Sequence, residues 1–510
     1  MEASTTATLP RLDAEFLKHH PELTLEATAE SLPERVLQFG AGVFLRGFVD
    51  WMIDGMNRKG LFRGRVVVVA SITPGTVQTL NQQNGAYTHF ARGIENDRLV
   101  EEKRIVTAIR RGIDVYKNFD EYLKCAHNPD LRFIVSNTTE AGIEYRAEDR
   151  QGDMPPVSFP AKLTLLLIER YKAFEGDVSM GFVFLPCELI ERNGDKLKET
   201  VLQTAENWGL DPKIVKWITE ANIFTNTLVD RIVTGFPRDE IQTLWRQSGY
   251  VDDLFNTSEV FHLWVIEGPP SLARELPLRE AGFNVIFTGD MTPYRDRKVR
   301  ILNGAHTATV LAAYQAGENL VGECMKDPLI RSFMTRAIYD EVIPTLTLTR
   351  QELDAFAVAV FERFSNPFIH HALLGISLNS ISKYKTRVLP SVEQYFAMKG
   401  ELPARLTFAL AALITFYCGT EVRDGALIGH RGGEEYRIHD GHSILETFAR
   451  LWSGFDGSGE GIRKLTESVL QREDWWGKDL RGLPGFSQSV SGYVESILTR
   501  GMRASLQQVS

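Results

Sequence analysis

The chain has 510 residues, 43% hydrophobic and 24% charged, too apolar for a disordered protein and long enough for two sizeable cores. Its 57 Lys and Arg against 66 Asp and Glu leave a formal net charge of −9, and no basic block offers a surface for nucleic acid. Four widely separated cysteines (Cys125, Cys187, Cys324, Cys418) without a Cys-x-x-Cys pair argue against a disulfide framework and a zinc knuckle, and suit a reducing cytoplasm.

The opening stretch MEASTTATLPRLDAEFLKHH has no apolar core of a secretory signal, so a cytoplasmic protein is expected. A strand is predicted over 35–39, running into Gly40-Ala41-Gly42, with a helix over about 44–56. Residues 65–70, RVVVVA, form a β-branched run of the kind found when both faces of a sheet are covered. Further strands are predicted over 132–136 and 180–185, with a helix over 160–171 between them. This alternation predicts βαβ units and a parallel sheet.

Punctuation changes at Glu267-Gly268-Pro269-Pro270, with Pro277 following. Beyond about 291 almost every segment reads as helix, including 297–315, 328–342, 351–364 and 402–418, each with apolar residues three and four apart. The run LTFALAALITFYC (406–418) falls short of the roughly 20 residues a membrane span needs, and reads as a buried core helix. Residues 453–461, SGFDGSGEG, read as a flexible loop with no strand before its glycines. The predicted fold is α/β plus all-α: a Rossmann-type dinucleotide-binding domain over 1–285 and a mostly helical substrate and catalytic domain over 286–510.

The stretch VLQFGAGVFLRGFVD carries the first functional signal. A strand ending in Gly-x-Gly and opening a helix lets the backbone approach a diphosphate, and the helix N-terminus presents N–H donors. Gly40 and Gly42 fit the first two glycines of the dinucleotide fingerprint, and Leu45 stands at the third. Taken alone, the pattern serves a tight structural turn as well as a cofactor. The strand after it ends Ala70-Ser71-Ile72-Thr73, without the acid that marks NAD or an Arg for a 2′-phosphate, so NAD against NADP stays open.

The second signal is Lys298-Val-Arg-Ile-Leu-Asn303-Gly-Ala-His306. At about 100° per residue, Lys298, His306 and Asn303 fall at about 0°, 80° and 140° on one helix face. A ketone reductase needs an acid for the developing alkoxide, and a lysine in a buried setting can provide one. An Asn amide can stabilise the oxyanion, and a His can orient the lysine or a substrate hydroxyl. The competing reading is a solvated face. Tyr294-x-x-x-Lys298 also matches the Tyr–Lys pair of short-chain dehydrogenases, but it lies some 250 residues past the glycines and beyond the domain boundary.

Taken jointly, Gly40-x-Gly42-x-Phe44-x-Arg46 and Lys298-x4-Asn303-x2-His306 resemble the polyol-specific long-chain dehydrogenases, the mannitol dehydrogenase family. The resemblance extends to Ser136-Asn137-Thr138-Thr139-Glu140-Ala141-Gly142, to Val229-Asp230-Arg231-Ile232 and to Arg363-Phe364-Ser365-Asn366-Pro367. It implies a Rossmann-type domain followed by a helical one, a nicotinamide cofactor and no catalytic metal. Phe39, Gly40, Ala41, Gly42, Val43, Phe44, Arg46, Asn137, Thr138 and Asp230 are the implied cofactor residues, toward NAD with NADP open. The implied catalytic set is Lys298 as general acid/base, His306 as its orienting partner and Asn303 in the oxyanion hole. A second Asn is matched to Asn193, in Pro186-Cys-Glu-Leu-Ile-Glu-Arg-Asn193-Gly194, where the family's usual Cys-Asp-Asn reads Cys-Glu-Leu.

Within the family, LQFGAGVFLRGFVDWMIDGMN is similar to members that interconvert D-tagaturonate and D-altronate. Gly375 stands where polyol-using members often have an Arg. A hexuronate carboxylate needs cations, and Lys383, His370 and Arg387 are the substrate-binding candidates, with Lys385 and His371 beside them. The alternatives are a fructuronate reductase or mannitol 2-dehydrogenase activity, and, in another class, a non-catalytic NAD(H)-binding sensor. The implied partners are a small hexuronate or aldonate, with no nucleic acid and no membrane, and the assembly is a monomer or small homo-oligomer.

Overall fold

Strand β1 (Glu34–Phe39) runs through the middle of a sheet, and its alternate residues bury on opposite sides. Val36 enters one apolar cluster with Val66, Val68 and Met52, whereas Leu37 and Phe39 enter another with Val67, Val69 and Leu166. Two-sided burial is what its β-branched neighbours require of a sheet covered on both faces. The computed structural model describes residues 9–23, 31–70, 74–138 and 142–510. The first eight residues, Ser71-Ile72-Thr73 and Thr139-Glu140-Ala141 lie outside the described residues. The chain divides into two units, Met1–Gly93 with Arg98–Met291, and Ile94–Asp97 with Thr292–Ser510.

In the first unit, β1 is followed by β2 (Arg65–Ala70), β3 (Tyr87–Glu95), β4 (Arg98–Val106), β5 (Ile109–Asp114), β6 (Phe133–Ser136), β7 (Val183–Pro186) and β8 (Ile223–Phe224). Six of these form a parallel sheet in the order β5-β2-β1-β6-β7-β8. The order reverses between β1 and β6, so the glycine turn after β1 stands at the switch point where doubly wound sheets take their ligands. The helix Phe159–Ala173 begins where Ser158 accepts a hydrogen bond from Ala161 N and Pro160 sets the first turn.

Two further sheets went unforeseen. With β9 (Asn226–Asp230), β10 (Val233–Gly235), β11 (Asn256–Ser258), β12 (Leu263–Glu267) and β13 (Val285–Thr288), they run β10-β11-β3-β4 and β13-β12-β9. Their inward positions are often polar, as where His89 Nε2 meets Ser258 Oγ at 3.0 Å, which hides the apolar alternation of a strand. The helix expected over 44–56 is also two helices, Val43–Arg46 and Val49–Arg58. A Cβ on Gly47 would stand 2.8 Å from Val233 Cγ1 and 2.9 Å from Asn256 Nδ2, and the Gly47 carbonyl accepts from Arg231 Nη1 at 2.7 Å. This close approach breaks the helical ladder.

The second unit centres on the helix Ala404–Phe416, buried from Arg405 through Phe416 and packed against Gly304–Gln315 and Phe486–Arg500. No helix among the described residues is long and apolar enough to cross a membrane. The unit is not helical throughout. Strands β14 (Val422–Arg423), β15 (Ala426–Arg431) and β16 (Glu434–Ile438) form an antiparallel sheet. Its two turns are Asp424-Gly425 and Gly432-Gly433, all four residues at positive φ, which is the hairpin chemistry the helical reading passed over. The loop expected over 453–461 shortens to 454–458, because Ser458 caps the helix Gly459–Leu470 by accepting from Gly461 N.

Candidate active site

Gly40 has φ +124°, and a Cβ there would meet Asn137 O at 3.1 Å, so the turn after β1 demands glycine. Its N–H donates to Val69 O, and Asn137 N donates to Phe39 O, tying the turn to the strands on either side. Gly42 caps the helix Val43–Arg46 with nothing within 4 Å of where its Cβ would stand. Gly42 and Val43 are exposed, Ala41 is buried and Phe44 half-buried. The open backbone over Gly42 is a cradle that a side chain would fill, as a diphosphate site needs. The helix behind it is a single turn, Val43–Arg46, where the sequence predicts one over about 44–56.

Phe39 contributes only its main chain to this turn, since its ring packs in the core with Phe159 at 4.8 Å and Tyr122 at 5.9 Å. Arg46 is a correction. The residue is 5% exposed, and its guanidinium donates to Leu254 O at 2.6 Å and lies over the Tyr87 ring at 5.3 Å. An arginine buried in this way supports the fold beneath the turn, with its head turned to Leu254 and Tyr87. Asn137 and Thr138 follow β6 beside the turn: Asn137 Nδ2 donates to Cys187 O at 2.8 Å, and Thr138 N and Oγ1 both donate to Glu188 Oε1. Ser136 Oγ donates to the other Glu188 oxygen at 3.0 Å. Burial pushes the Glu188 carboxyl up while these hydrogen bonds pull it down. Glu188 is a residue the sequence reading missed; an acid straight after an apolar strand end was the available signal. Asp230 is buried at the end of β9, opposite Leu263.

Asn193 is a second correction. It is 1% exposed, its Nδ2 donates toward Pro186 O, Glu188 O and Thr227 O at 3.0–3.1 Å, and its Oδ1 accepts from Thr227 N. Both amide hydrogens are taken by main-chain carbonyls, so none is left for an oxyanion. Asn193 staples β7 to β9.

In the second unit, Lys298 and Asn303 do not lie on an α-helix. Residues Thr292–Arg297 are α-helical, Lys298–Asn303 form a π-helix, and Gly304–Gln315 resume the α-helix. An α-helix would leave Lys298 and Asn303 about 140° apart. A π turn closes i→i+5 hydrogen bonds, so residues five apart stack on one side, and such turns concentrate at functional sites. Lys298, Asn303 and His306 are each half-buried. The neighbours point elsewhere: Arg297 lies over the Tyr294 and Phe356 rings at 5.3 and 4.5 Å, and Arg300 donates to Gln394. Tyr294 is thus packed on Arg297.

Around His306 the unit gathers positive charge. Burial, then His371, Arg363, Arg387 and Lys383, drive the imidazole well below its ordinary range, so it is neutral near pH 7. Its buried Nε2 has no hydrogen-bond partner among the described residues. Lys383 Nζ donates to Ile376 O at 2.8 Å, and Arg387 Nη1 reaches Thr307 Oγ1 at 3.5 Å. Burial and Arg387 lower the Lys383 ammonium, and burial lowers Arg387. His370 is exposed, and it is His371 whose ring faces His306, at 5.4 Å. Arg363, noted in the sequence only as part of a motif, is buried and joins the cluster.

Residues 34–280 match the mannitol dehydrogenase Rossmann domain and residues 290–498 the mannitol dehydrogenase C-terminal domain. The chain is 48% identical over 476 residues to an altronate oxidoreductase of Shigella flexneri, covering 93% of this chain and 96% of the relative. It is 47% identical to that of Escherichia coli O6:K15:H31, with the same coverage. Among solved structures, the fold is similar to Pseudomonas fluorescens mannitol 2-dehydrogenase in ternary complex with NAD and D-mannitol, at TM-score 0.68 and 21% identity over 98% of this chain and 99% of that one. It is similar also to a D-sorbitol dehydrogenase in substrate-free form, at TM-score 0.79 and 21% identity over 98% and 100%. The chain belongs to the mannitol dehydrogenase family.

Proposed function

We propose that the chain is an NAD(H)-dependent oxidoreductase that interconverts D-tagaturonate and D-altronate. The observation that carries this reading is the gathering of Arg363, Lys383 and Arg387 about His306. A cluster of three cations matches a hexuronate carboxylate better than it matches a neutral polyol. The identity to altronate oxidoreductases over nearly the whole chain supports the particular sugar acid.

The residues of the first unit fit a dinucleotide, because Gly40 and Gly42 leave the backbone bare at the switch point of the sheet. The main chain from Phe39 to Phe44 would hold the diphosphate, with Asn137, Thr138 and Asp230 completing the cofactor side. When bound, NADH supplies the hydride that reaches the keto carbon. Lys298 gives its proton to the keto oxygen in reduction and takes it back in oxidation. Asn303 donates a hydrogen bond to the same oxygen as charge develops there. The neutral His306 has Nε2 to offer for one hydrogen bond, which would orient Lys298 or a substrate hydroxyl. Lys383 and Arg387 hold the carboxylate. The four thiols, unpaired in the structure, suit the cytoplasm, where the enzyme works as a monomer or small homo-oligomer.

Side-by-side turnover of tagaturonate, fructuronate and fructose, each with NADH and NADPH, tests the reading. Tagaturonate with NADH is expected to give the highest kcat/KM, by roughly tenfold or more. A higher value with fructuronate or fructose would move the chain to another activity of the family. NADH binding without turnover of any of the three would favour a sensor.

A further inference from the structure

The helix that carries Lys383 and Arg387, Ser380–Arg387, begins without a side-chain cap of its own. Asn379, before it, stands at φ 54° in the left-handed region, and the first N–H groups of the helix need outside acceptors. His439 and Asp440, just past β16, provide acceptors here. His439 O accepts from Asn379 N at 3.0 Å, and Asp440 Oδ2 accepts from Ile381 N at 3.3 Å. The same Asp440 oxygen accepts the Tyr417 hydroxyl at 2.6 Å, while Oδ1 accepts from Gly441 N at 2.8 Å. Tyr417 is fully buried at the end of the Ala404–Phe416 helix, so the contact fastens the cation-bearing helix to the buried central helix of the unit. Asp440 is also the opposite charge that faces Lys383. Lys383 uses one ammonium hydrogen on Ile376 O, and an ammonium has two more to offer a ligand.

We propose that Asp440, bridging Tyr417 and the Ile381 N–H, is a positioning residue for the carboxylate end of the substrate. It holds the start of the helix so that Lys383 and Arg387 remain beside His306. A substrate without a carboxylate has no use for this arrangement. The inference rests on the reading that Lys383 and Arg387 grip a carboxylate, and the test separates the two.

Steady-state kinetics of Asp440→Ala, Asp440→Asn, Tyr417→Phe and Lys383→Ala with tagaturonate and with fructose provide that test. Asp440→Ala is expected to raise KM for tagaturonate by roughly tenfold, with kcat within about twofold and KM for fructose unchanged. Tyr417→Phe moves KM the same way by a smaller factor. Asp440→Asn keeps an oxygen for Tyr417 and Ile381 and brings KM back to within about threefold of the parent. If Lys383→Ala raises KM for tagaturonate while Asp440→Ala and Tyr417→Phe leave it unchanged, the positioning role is overturned and the carboxylate grip stands. Equal KM effects on both substrates, or no rescue by Asp440→Asn, overturn it as well. If Lys383→Ala leaves KM for tagaturonate unchanged, the carboxylate reading fails, and the positioning role with it.

Discussion

The His306 ring stacks on the Phe364 ring, with centroids 4.2 Å apart and planes inclined by 20°. Packed in this way, the imidazole is shielded on one face, kept neutral by burial and neighbouring cations, and left with Nε2 to offer. His306→Ala is expected to lower kcat/KM for tagaturonate by roughly 10- to 100-fold with NADH affinity unchanged. Because the ring is already neutral, the parent pH–rate profile should show no inflection from it near the ordinary 6.5. An inflection there that disappears in His306→Asn would contradict this.

The two glycines of the turn should respond in opposite ways. A Cβ on Gly42 meets nothing within 4 Å, so Gly42→Val should melt close to the parent while NADH affinity falls by roughly tenfold or more. Gly40→Ala must adopt φ +124° and crowd Asn137 O, and should lose about 1–3 kcal/mol of stability. Thermal melts and NADH titration of both variants check the pair.

Asn193→Ala should behave as a structural variant. Removing an amide that serves three carbonyls and one N–H should cost roughly 2–4 kcal/mol by chemical denaturation, with kcat of the folded enzyme within about threefold. An unchanged denaturation midpoint with a large fall in kcat would return Asn193 to the oxyanion hole.

Beneath the glycine turn, Gln38 Nε2 donates to both Gly40 O and Asp50 Oδ2 at 3.1 Å. Burial pushes the Asp50 carboxyl up to about 7, against the Gln38 hydrogen bond and the Arg46 charge, which pull it down. An unfolded aspartate ionises near 3.9, so between about pH 4 and 7 the folded state binds more protons than the unfolded one. The contribution of Asp50 is therefore fully present below about pH 4 and is lost as pH rises through about 7. Asp50→Asn should gain stability relative to the parent between pH 5 and 8, by up to roughly 3 kcal/mol in denaturant titrations. An equal difference at both pH values would contradict this.

The parallel sheet was legible because β1, β2, β6 and β7 are short apolar runs that the two-sided burial of a doubly wound sheet selects. The glycine turn was legible because φ +124° at Gly40 leaves few residue choices. Strands such as β3 and β11 were not, since their inward residues include His89, Asn256 and Ser258, whose partners are tertiary. Nor could periodicity reveal the π turn at Lys298–Asn303, because the shift from 3.6 residues per turn lasts only one turn. Motif position alone marks Arg46 and Asn193; their commitments to main-chain carbonyls appear only once strands distant in sequence are brought together. The β14–β16 sheet could have been read from its Asp-Gly and Gly-Gly turns.

The proposed chemistry stands or falls on Lys298 as the proton donor. The most direct measurement is kcat/KM for tagaturonate-dependent NADH oxidation by Lys298→Ala, taken beside Tyr294→Phe and the parent. Lys298→Ala is predicted to lose roughly 10²–10⁴-fold with NADH binding unchanged. Tyr294, whose ring packs on Arg297, is predicted to tolerate Phe within about twofold. A loss in Tyr294→Phe as deep as that in Lys298→Ala, or full activity in Lys298→Ala, would contradict it.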